Sequence, residues 1–202
     1  MREGDNVPKI VDHDQRRSEI VEAFLAVVAR DGLSAATSRA IAAELGIGTG
    51  ALWHYFDGFD EVAAGAYMRI TERTNDRIAA ATAGLRGLDA FYAMIREILP
   101  LTKETRDEAF VVVAFWGRLA ANSKIDQSRA DVGDNWGGQI AGRLAEAIED
   151  GVLTATIPIP EVVEVVLMIC IGQQVSAVMA DPMVDAGRRL AMIDHCLSPW
   201  RP

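Results

Sequence analysis

Apolar residues early in the chain recur at intervals of three and four. Ile20, Phe24 and Val27 form one row and Val21, Leu25 and Val28 the next, the pattern of an amphipathic helix over residues 14–30. Asp31-Gly32 predicts its end, because glycine enters the left-handed region that other residues avoid. Thr37 suits the cap of a short second helix, S-R-A-I-A-A-E-L, which Gly46 stops. From Asp60 an alanine-rich helix runs to about residue 83, with Val62, Ala66, Ile70 and Thr74 on one stripe, until Gly84 and Gly87 break it.

Helical spacing continues over about 88–99, ending at Pro100, and over about 105–121. The latter holds F-V-V-V-A-F-W, apolar nearly all round, which predicts burial on every side. Another helix covers about 125–150 and stops before Gly151. Pro158 and Pro160 mark a loop, and Pro160 suits the first position of the next helix, over about 161–180. The β-branched content of that segment would also fit a buried strand, but strands seldom run so long, and length decides for helix. Asp181-Pro182 punctuates, and a last helix fills about 183–197. There is no internal repeat. The fold class read from this pattern is all-α, with about nine helices: an arm over 1–13, a small unit over 14–60 and a larger one over 61–202.

Half of the 202 residues are hydrophobic, enough for a real core in one or two domains. The N-terminal M-R-E-G-D-N-V-P-K has no apolar stretch behind its charges, so no secretory signal is predicted. The most apolar run, Val162 to Gly172, contains Glu164 and is shorter than the roughly 18 residues of a membrane span. Cys170 and Cys196 read as reduced thiols of a cytoplasmic protein with no membrane partner. His13, His54, His195 and these cysteines share no ligand spacing, so no metal and no cofactor are expected. No nucleophile–base set or carboxylate pair stands out, which argues against an enzyme.

Charge changes the picture more. The net charge is −9, and the first 60 residues carry six Lys/Arg against ten Asp/Glu. Non-specific affinity for nucleic acid comes from neutralised phosphates, so a DNA-binding reading demands a locally cleared patch. The segment from Ile47 to Phe56, I-G-T-G-A-L-W-H-Y-F, has no acidic residue and supplies one. Its alternate glycines do not make a dinucleotide loop, because R-A-I-A-A-E-L before them is helix-forming and no phosphate-binding lysine follows. They do fit a helix-turn-helix. Ala42 is small where two helices would touch, Gly46 permits the reversal, and Ile41, Leu45, Ile47 and Leu52 supply apolar contacts. Gly48-Thr49-Gly50 then opens the second helix without bulk, so backbone N–H groups and the Thr49 hydroxyl can approach a phosphate.

Residues 14 to about 66 resemble the DNA-binding domain of the tetracycline-repressor (TetR) family of bacterial transcription regulators. The matching words are R-R-S-E-I-V-E-A-F, T-S-R-A-I-A-A-E-L-G, G-T-G-A-L-W-H-Y-F and D-G-F-D-E-V, in order. The resemblance implies that Thr37, Ser38 and Arg39 lie near phosphates, that Gly48, Thr49 and Gly50 enter the major groove first, and that Trp53, His54 and Tyr55 contact bases or backbone. The chain departs from the family at Trp53, usually tyrosine, at Phe59, commonly lysine, and at Gly48, often serine. Binding is then expected to lean on backbone donors, Thr49 and His54, with Arg16, Arg17 or Lys9 on the flanks.

For the larger unit the resemblance implies an effector-binding and dimerisation domain. Phe91, Tyr92, Met94, Phe110, Phe115, Trp116, Trp136 and Met168 read as core by spacing. As the shell of an effector cavity, the candidates are Tyr92, Phe115, Trp116, Trp136 and Met168, with Asn122 and Gln173 (and Gln174 beside it) as polar groups. The expected effector is small and largely apolar; a cationic one could sit on the faces of Trp116, Trp136 or Tyr92. Val163, Leu167, Ile171 and Val175, with Leu190 and Ile193, are the candidate homodimer interface, since a palindromic operator in double-stranded DNA requires two copies. The function implied is a ligand-responsive regulator, a repressor by family habit. The rival is an all-α ligand-binding protein or enzyme that has lost DNA binding.

Overall fold

A computed structural model describes residues 13–121, 127–179 and 185–202. Lys9, Asn122, Asp181-Pro182 and all of the predicted arm but His13 lie outside the described residues. Among the described residues all regular structure is helical: α1 (His13–Asp31), α2 (Ser38–Leu45), α3 (Thr49–Leu52), α4 (Phe59–Thr82), α5 (Gly87–Ile98), α6 (Lys103–Ala121), α7 (Gln127–Glu149), α8 (Ile159–Val178) and α9 (Ala186–Leu197). Short 3-10 turns occur at Leu33–Ala35 and Ser198–Trp200. The chain divides into two compact units, one up to Ala66 and one from Tyr67, so α4 contributes its opening turns to the first and the remainder to the second.

In the first unit the two apolar rows of α1 face inward. Ile20, Phe24 and Val27 are buried with Ile41 and Ala42 of α2, Leu52 of α3, Phe56, and Val62 and Ala66 of α4. Each large aliphatic or aromatic side chain so hidden contributes about 1.5–3 kcal/mol. The rings of Phe24 and Phe59 meet edge to face, centroids 5.6 Å apart. Thr37 caps α2 through its hydroxyl, which accepts from the Ala40 N–H at 3.3 Å. Gly46 ends the helix at φ 65° and ψ 31°, left-handed as its position demands, and Ile47 N–H turns back to the Ala42 carbonyl at 3.0 Å.

The second unit is built from α5 on α7, α6 on α8, α7 on α8 and α8 on α9. Phe91, Met94, Ile95, Ile140, Leu144, Val166 and Ile193 form its core. Pro160 lies in the first turn of α8, where a missing N–H costs no helical bond. The C-terminal turn is tied down: Thr154 N–H donates to the Trp200 carbonyl at 2.8 Å, and the Tyr92 hydroxyl to Asp194 at 2.7 Å.

Two helices differ from expectation. α6 is not buried on every side: Phe110 is exposed, and Val113 and Trp116 are half-buried. Its packing partner is α8, and a helix with one main neighbour cannot hide its whole circumference. α8 is long and apolar enough, by length and composition, to cross a membrane. It buries Val162, Val163, Val166, Cys170 and Gln173 within the unit and leaves most of its apolar length exposed or half-buried. Its Gln173 amide donates to the Arg189 carbonyl at 3.0 Å and Arg189 returns a bond to the Gln173 carbonyl at 2.9 Å, clamping α9. Burial leaves these polar groups no water, so each needs the other.

Gly65 is where α4 meets α1 most closely: a Cβ there would stand 2.9 Å from Cγ2 of Val21. Gly65→Ala is therefore expected to destabilise the protein by about 1–3 kcal/mol, as overpacked helix contacts do. A urea melt followed by circular dichroism measures it; an unchanged midpoint would show that α1 and α4 are free to separate.

Candidate functional site

The corner between α2 and α3 follows from what is hidden and what is not. Ile41, Ala42, Leu52 and Phe56 point inward, which turns Gly48, Thr49 and Gly50 outward to solvent. No side chain caps α3, so its first N–H groups are left for an outside partner. A Cβ added to Gly48 or Gly50 would meet nothing within 4 Å. The fold therefore does not require glycine at either place; a close-approaching ligand would. α3 itself is shorter than the pattern suggested, ending at Leu52, and the chain continues as a turn with Tyr55 N–H on the Leu52 carbonyl at 3.0 Å. Trp53, 41% exposed, and the exposed His54 lie on that turn, beside α3 rather than along it. Arg39 is exposed on α2, and Ser38 is half-buried at its start.

Four residues proposed from sequence as DNA contacts are engaged within the protein: Thr37, which caps α2, and Arg17, Tyr55 and Arg16. Arg17 is hydrogen-bonded to the Tyr55 carbonyl, paired with Glu61 at 2.6 Å and laid over the Phe56 ring at 4.2 Å. Its guanidinium holds the turn after α3. Tyr55 gives its carbonyl to Arg17 and rests its ring 5.0 Å from that of His13. Arg16 pairs with Glu19 at 2.6 Å, an exchangeable surface pair from which a phosphate could take it. Glu61 also accepts from Asp57 N–H at 2.6 Å; that bond first, and Arg17 second, hold its carboxyl below the usual carboxylate range.

The second unit contains a cavity of about 300 Å³ bounded by α4, α5, α6, α7 and α8. Its wall is largely apolar, with Tyr67, Ile70, Val112 and Ile171 among the lining residues. Trp116, Trp136 and Met168 line it as expected, and Gln174 does so in place of Gln173. Trp136 donates its indole N–H to Asn75 at 2.8 Å. Tyr92 and Phe115 are not on the wall: Tyr92 is bound to Asp194, and Phe115 is fully buried against Tyr67, ring centroids 4.5 Å apart. Gln173 is committed to Arg189. Asn122 lies outside the described residues.

Gln174 apart, sequence reasoning missed the polar part of the wall. Glu97, Glu108 and Thr105 line the cavity, as do Thr71 and Thr74, whose hydroxyls donate to the Tyr67 and Ile70 carbonyls of their own helix. Arg77 pairs with Glu108 at 3.0 Å and with Glu97 at 3.3 Å. Burial, working against Arg77, pushes the Glu108 carboxyl above its ordinary value. Thr74 on an otherwise apolar stripe was the one visible signal.

The candidate dimer residues are also redistributed. Val163 and Ile193 are buried in this unit's own core, Leu190 packs against it, and Leu167 and Ile171 line the cavity. The outward stripe of α8 is instead Val165, Met168, Val175 and Met179, 47%, 61%, 36% and 76% exposed. Of the predicted set only Val175 belongs to it.

Comparison with known proteins accords with this geometry. The model of bacterial regulatory proteins of the tetR family matches residues 20–64, and that of the BetI-type transcriptional repressor C-terminal domain matches residues 87–198, more than half of the chain. The chain belongs to the TetR family. Among curated relatives, the HTH-type transcriptional regulator PksA of Bacillus subtilis (strain 168) is 37% identical over 110 residues, 54% of each chain. The match thus spans about half of that relative's length. A regulator from Saccharomonospora viridis, solved in complex with choline, has the same fold: TM-score 0.80 at 19% identity, over 92% of this chain and 96% of that one. A TetR transcription regulator from Haloarcula marismortui gives TM-score 0.77 at 19% identity, covering 94% and 100%.

Two outcomes follow for this TetR-family regulator. Gly50→Ala should hold or raise thermal stability, by up to about 1 kcal/mol through better helix propensity, yet weaken operator binding at least tenfold in a fluorescence titration. Equal loss of folding would mean that Gly50 serves the fold. Glu61→Gln should lower stability at pH 7 by about 0.5–1 kcal/mol, allowing for solvent screening. Because Glu61 titrates lower in the folded state, its contribution is present above about pH 4.3 and lost as pH falls through the folded value. The gap between variant and parent melting temperatures should therefore close in acid; a gap that persists there would show that shape, not charge, matters.

Proposed function

We propose that this TetR-family protein is a homodimeric repressor of the cytoplasm, without catalytic activity, that grips a palindromic operator and is released by a small effector. The observation that carries the reading is the shared helix α4. Its opening turns supply Val62 and Ala66 to the core behind the helix-turn-helix, and the turns immediately following supply Tyr67, Ile70, Thr71 and Thr74 to the cavity. A ligand that prefers one position of those later turns biases the earlier ones. Couplings of this kind are typically about 1–3 kcal/mol, or roughly 5- to 150-fold in affinity.

On the operator, Gly48, Thr49 and Gly50 approach the major groove, with His54, Trp53, Thr37, Ser38, Arg39 and Arg16 at its edges and Arg17 and Tyr55 bracing the turn. Two such corners occupy half-sites about one helical turn, roughly 34 Å, apart. The apolar stripe of Val165, Met168, Val175 and Met179 is the face offered to a second copy, in keeping with the need for two half-sites. The apolar bulk of the wall supports a small, largely apolar effector. The choline bound by the Saccharomonospora relative supports a small-molecule ligand for a protein of this fold.

The test is a titration against DNA upstream of the protein's own gene at several salt concentrations, alongside sedimentation. The native chain should sediment as a dimer and bind specifically with a shallow salt slope, since few cationic groups face the groove. Val175→Glu should sediment as a monomer and bind the operator at least tenfold more weakly. No binding even at low salt would favour a ligand-binding protein that has lost DNA, and a dimer persisting in Val175→Glu would place the interface elsewhere.

A further inference from the structure

The cavity wall holds two polar atoms that no described residue of the protein engages. The indole N–H of Trp116 and Oε1 of Gln174 are both buried and have no hydrogen-bond partner among the described residues. Gln174 is not free to swing away, because its Nε2 donates to the Ile98 carbonyl at 2.7 Å, which also decides which amide atom is the oxygen. A buried donor or acceptor left unpaired is costly, because it has given up water and gained nothing in return. Arg77 Nε and Arg143 Nε are likewise without a hydrogen-bond partner among the described residues, but neither lines the cavity; Trp116 and Gln174 both do, as one half of a recognition surface would.

The charge of the same wall is lopsided. Glu97, Glu108 and Asp134 line the cavity, and no lysine, arginine or histidine does so among the described residues. Behind them one guanidinium, that of Arg77, is shared among Glu108, Glu97 and, at 4.0 Å, Glu104. Arg73 acts on Glu108 from farther off. Among the described residues, Arg77 and Arg73 thus stand against three glutamates, Glu97, Glu104 and Glu108, with Asp134 a further carboxylate on the wall. Three aromatic rings, Tyr67, Trp116 and Trp136, line the same space, and a ring face attracts a cation. Burial raises the Glu108 pKa against the pull of Arg77.

We propose that the effector is a protonated amine on an apolar body that also carries an oxygen acceptor: the ammonium N–H groups meet Gln174 Oε1 and the Glu97–Glu108 side of the wall, and the oxygen accepts from Trp116. This rests on the effector-release reading and narrows it by charge and by hydrogen-bond complement. A quaternary ammonium is the poorer fit, since it has no N–H for Gln174. An anionic effector is opposed by the carboxylates.

The probes are three molecules of nearly equal shape: 2-amino-1-phenylethanol (cation), 1-phenyl-1,2-ethanediol (neutral) and mandelate (anion). Calorimetric titration of the full chain should show the amine binding at least tenfold tighter than the diol, and mandelate not at all. Glu108→Gln should cut the amine's affinity at least fivefold and leave the diol's unchanged. Trp116→Phe should narrow the amine's advantage over 2-phenylethylamine, which lacks the oxygen. Melting temperatures check that both variants fold, and the selectivity of the native chain stands whether they do or not. Diol or mandelate binding as well as the amine, or no binding of any of the three, overturns the proposal. Operator release is read separately. Amine binding without release from DNA would sink the induction mechanism and leave the ligand class standing; release by a neutral or anionic compound alone would do the reverse.

Discussion

An α-helix can hide only the part of its circumference that neighbours cover, and everything functional in this chain follows from apolar and polar surface in excess of that cover. α1 spends its two apolar rows on Ile41, Ala42, Leu52 and Phe56, so the short α2 and α3 are held by their inner residues alone. What is left over points outward as a small, acid-free corner. α6 and α8 carry more apolar surface than the second unit can bury. The surplus becomes the lining of a cavity and, on α8, a row of exposed methionines and valines, of which Met168 belongs to both.

The corner depends on an arginine that sequence reasoning assigned to the DNA. Arg17 holds a carbonyl, a carboxylate and an aromatic face at once, all in the chain that follows α3. Such a bundle of contacts fixes where Trp53 and His54 stand without adding a charge to the groove. It also explains how an acidic unit tolerates its own composition: Glu61 and Glu19 are spent on arginines, as is Glu44, which meets Arg30 at 2.9 Å. The segment from Ile47 to Phe56 stays clear of carboxylates, and repulsion from more distant ones is screened beyond about 8 Å at physiological salt.

Much of this was legible before any coordinates. The three-and-four spacing of Ile20, Phe24 and Val27 placed α1, and Thr37 and Gly46 bracketed α2 where the cap and the left-handed turn occur. Pro160 marked the start of α8 within a residue. Less legible were the fates of single side chains on helices apolar all round. Val163 and Val165 are both valines two positions apart on α8, yet one is core and the other surface. Nothing in their local sequence separates them, because on such a helix every direction looks buried.

The sequence by itself determined the helices, most of their ends (that of α3 excepted) and the helix-turn-helix corner, because caps, glycines and periodic apolar rows act within a few residues of one another. Only the tertiary structure decided which residues face the cavity, that Gln174 rather than Gln173 offers it an amide, and that Glu97, Glu108 and Arg77 share one wall. Those outcomes depend on which helices come together across long stretches of chain. Contact of that kind is set by packing, not by spacing.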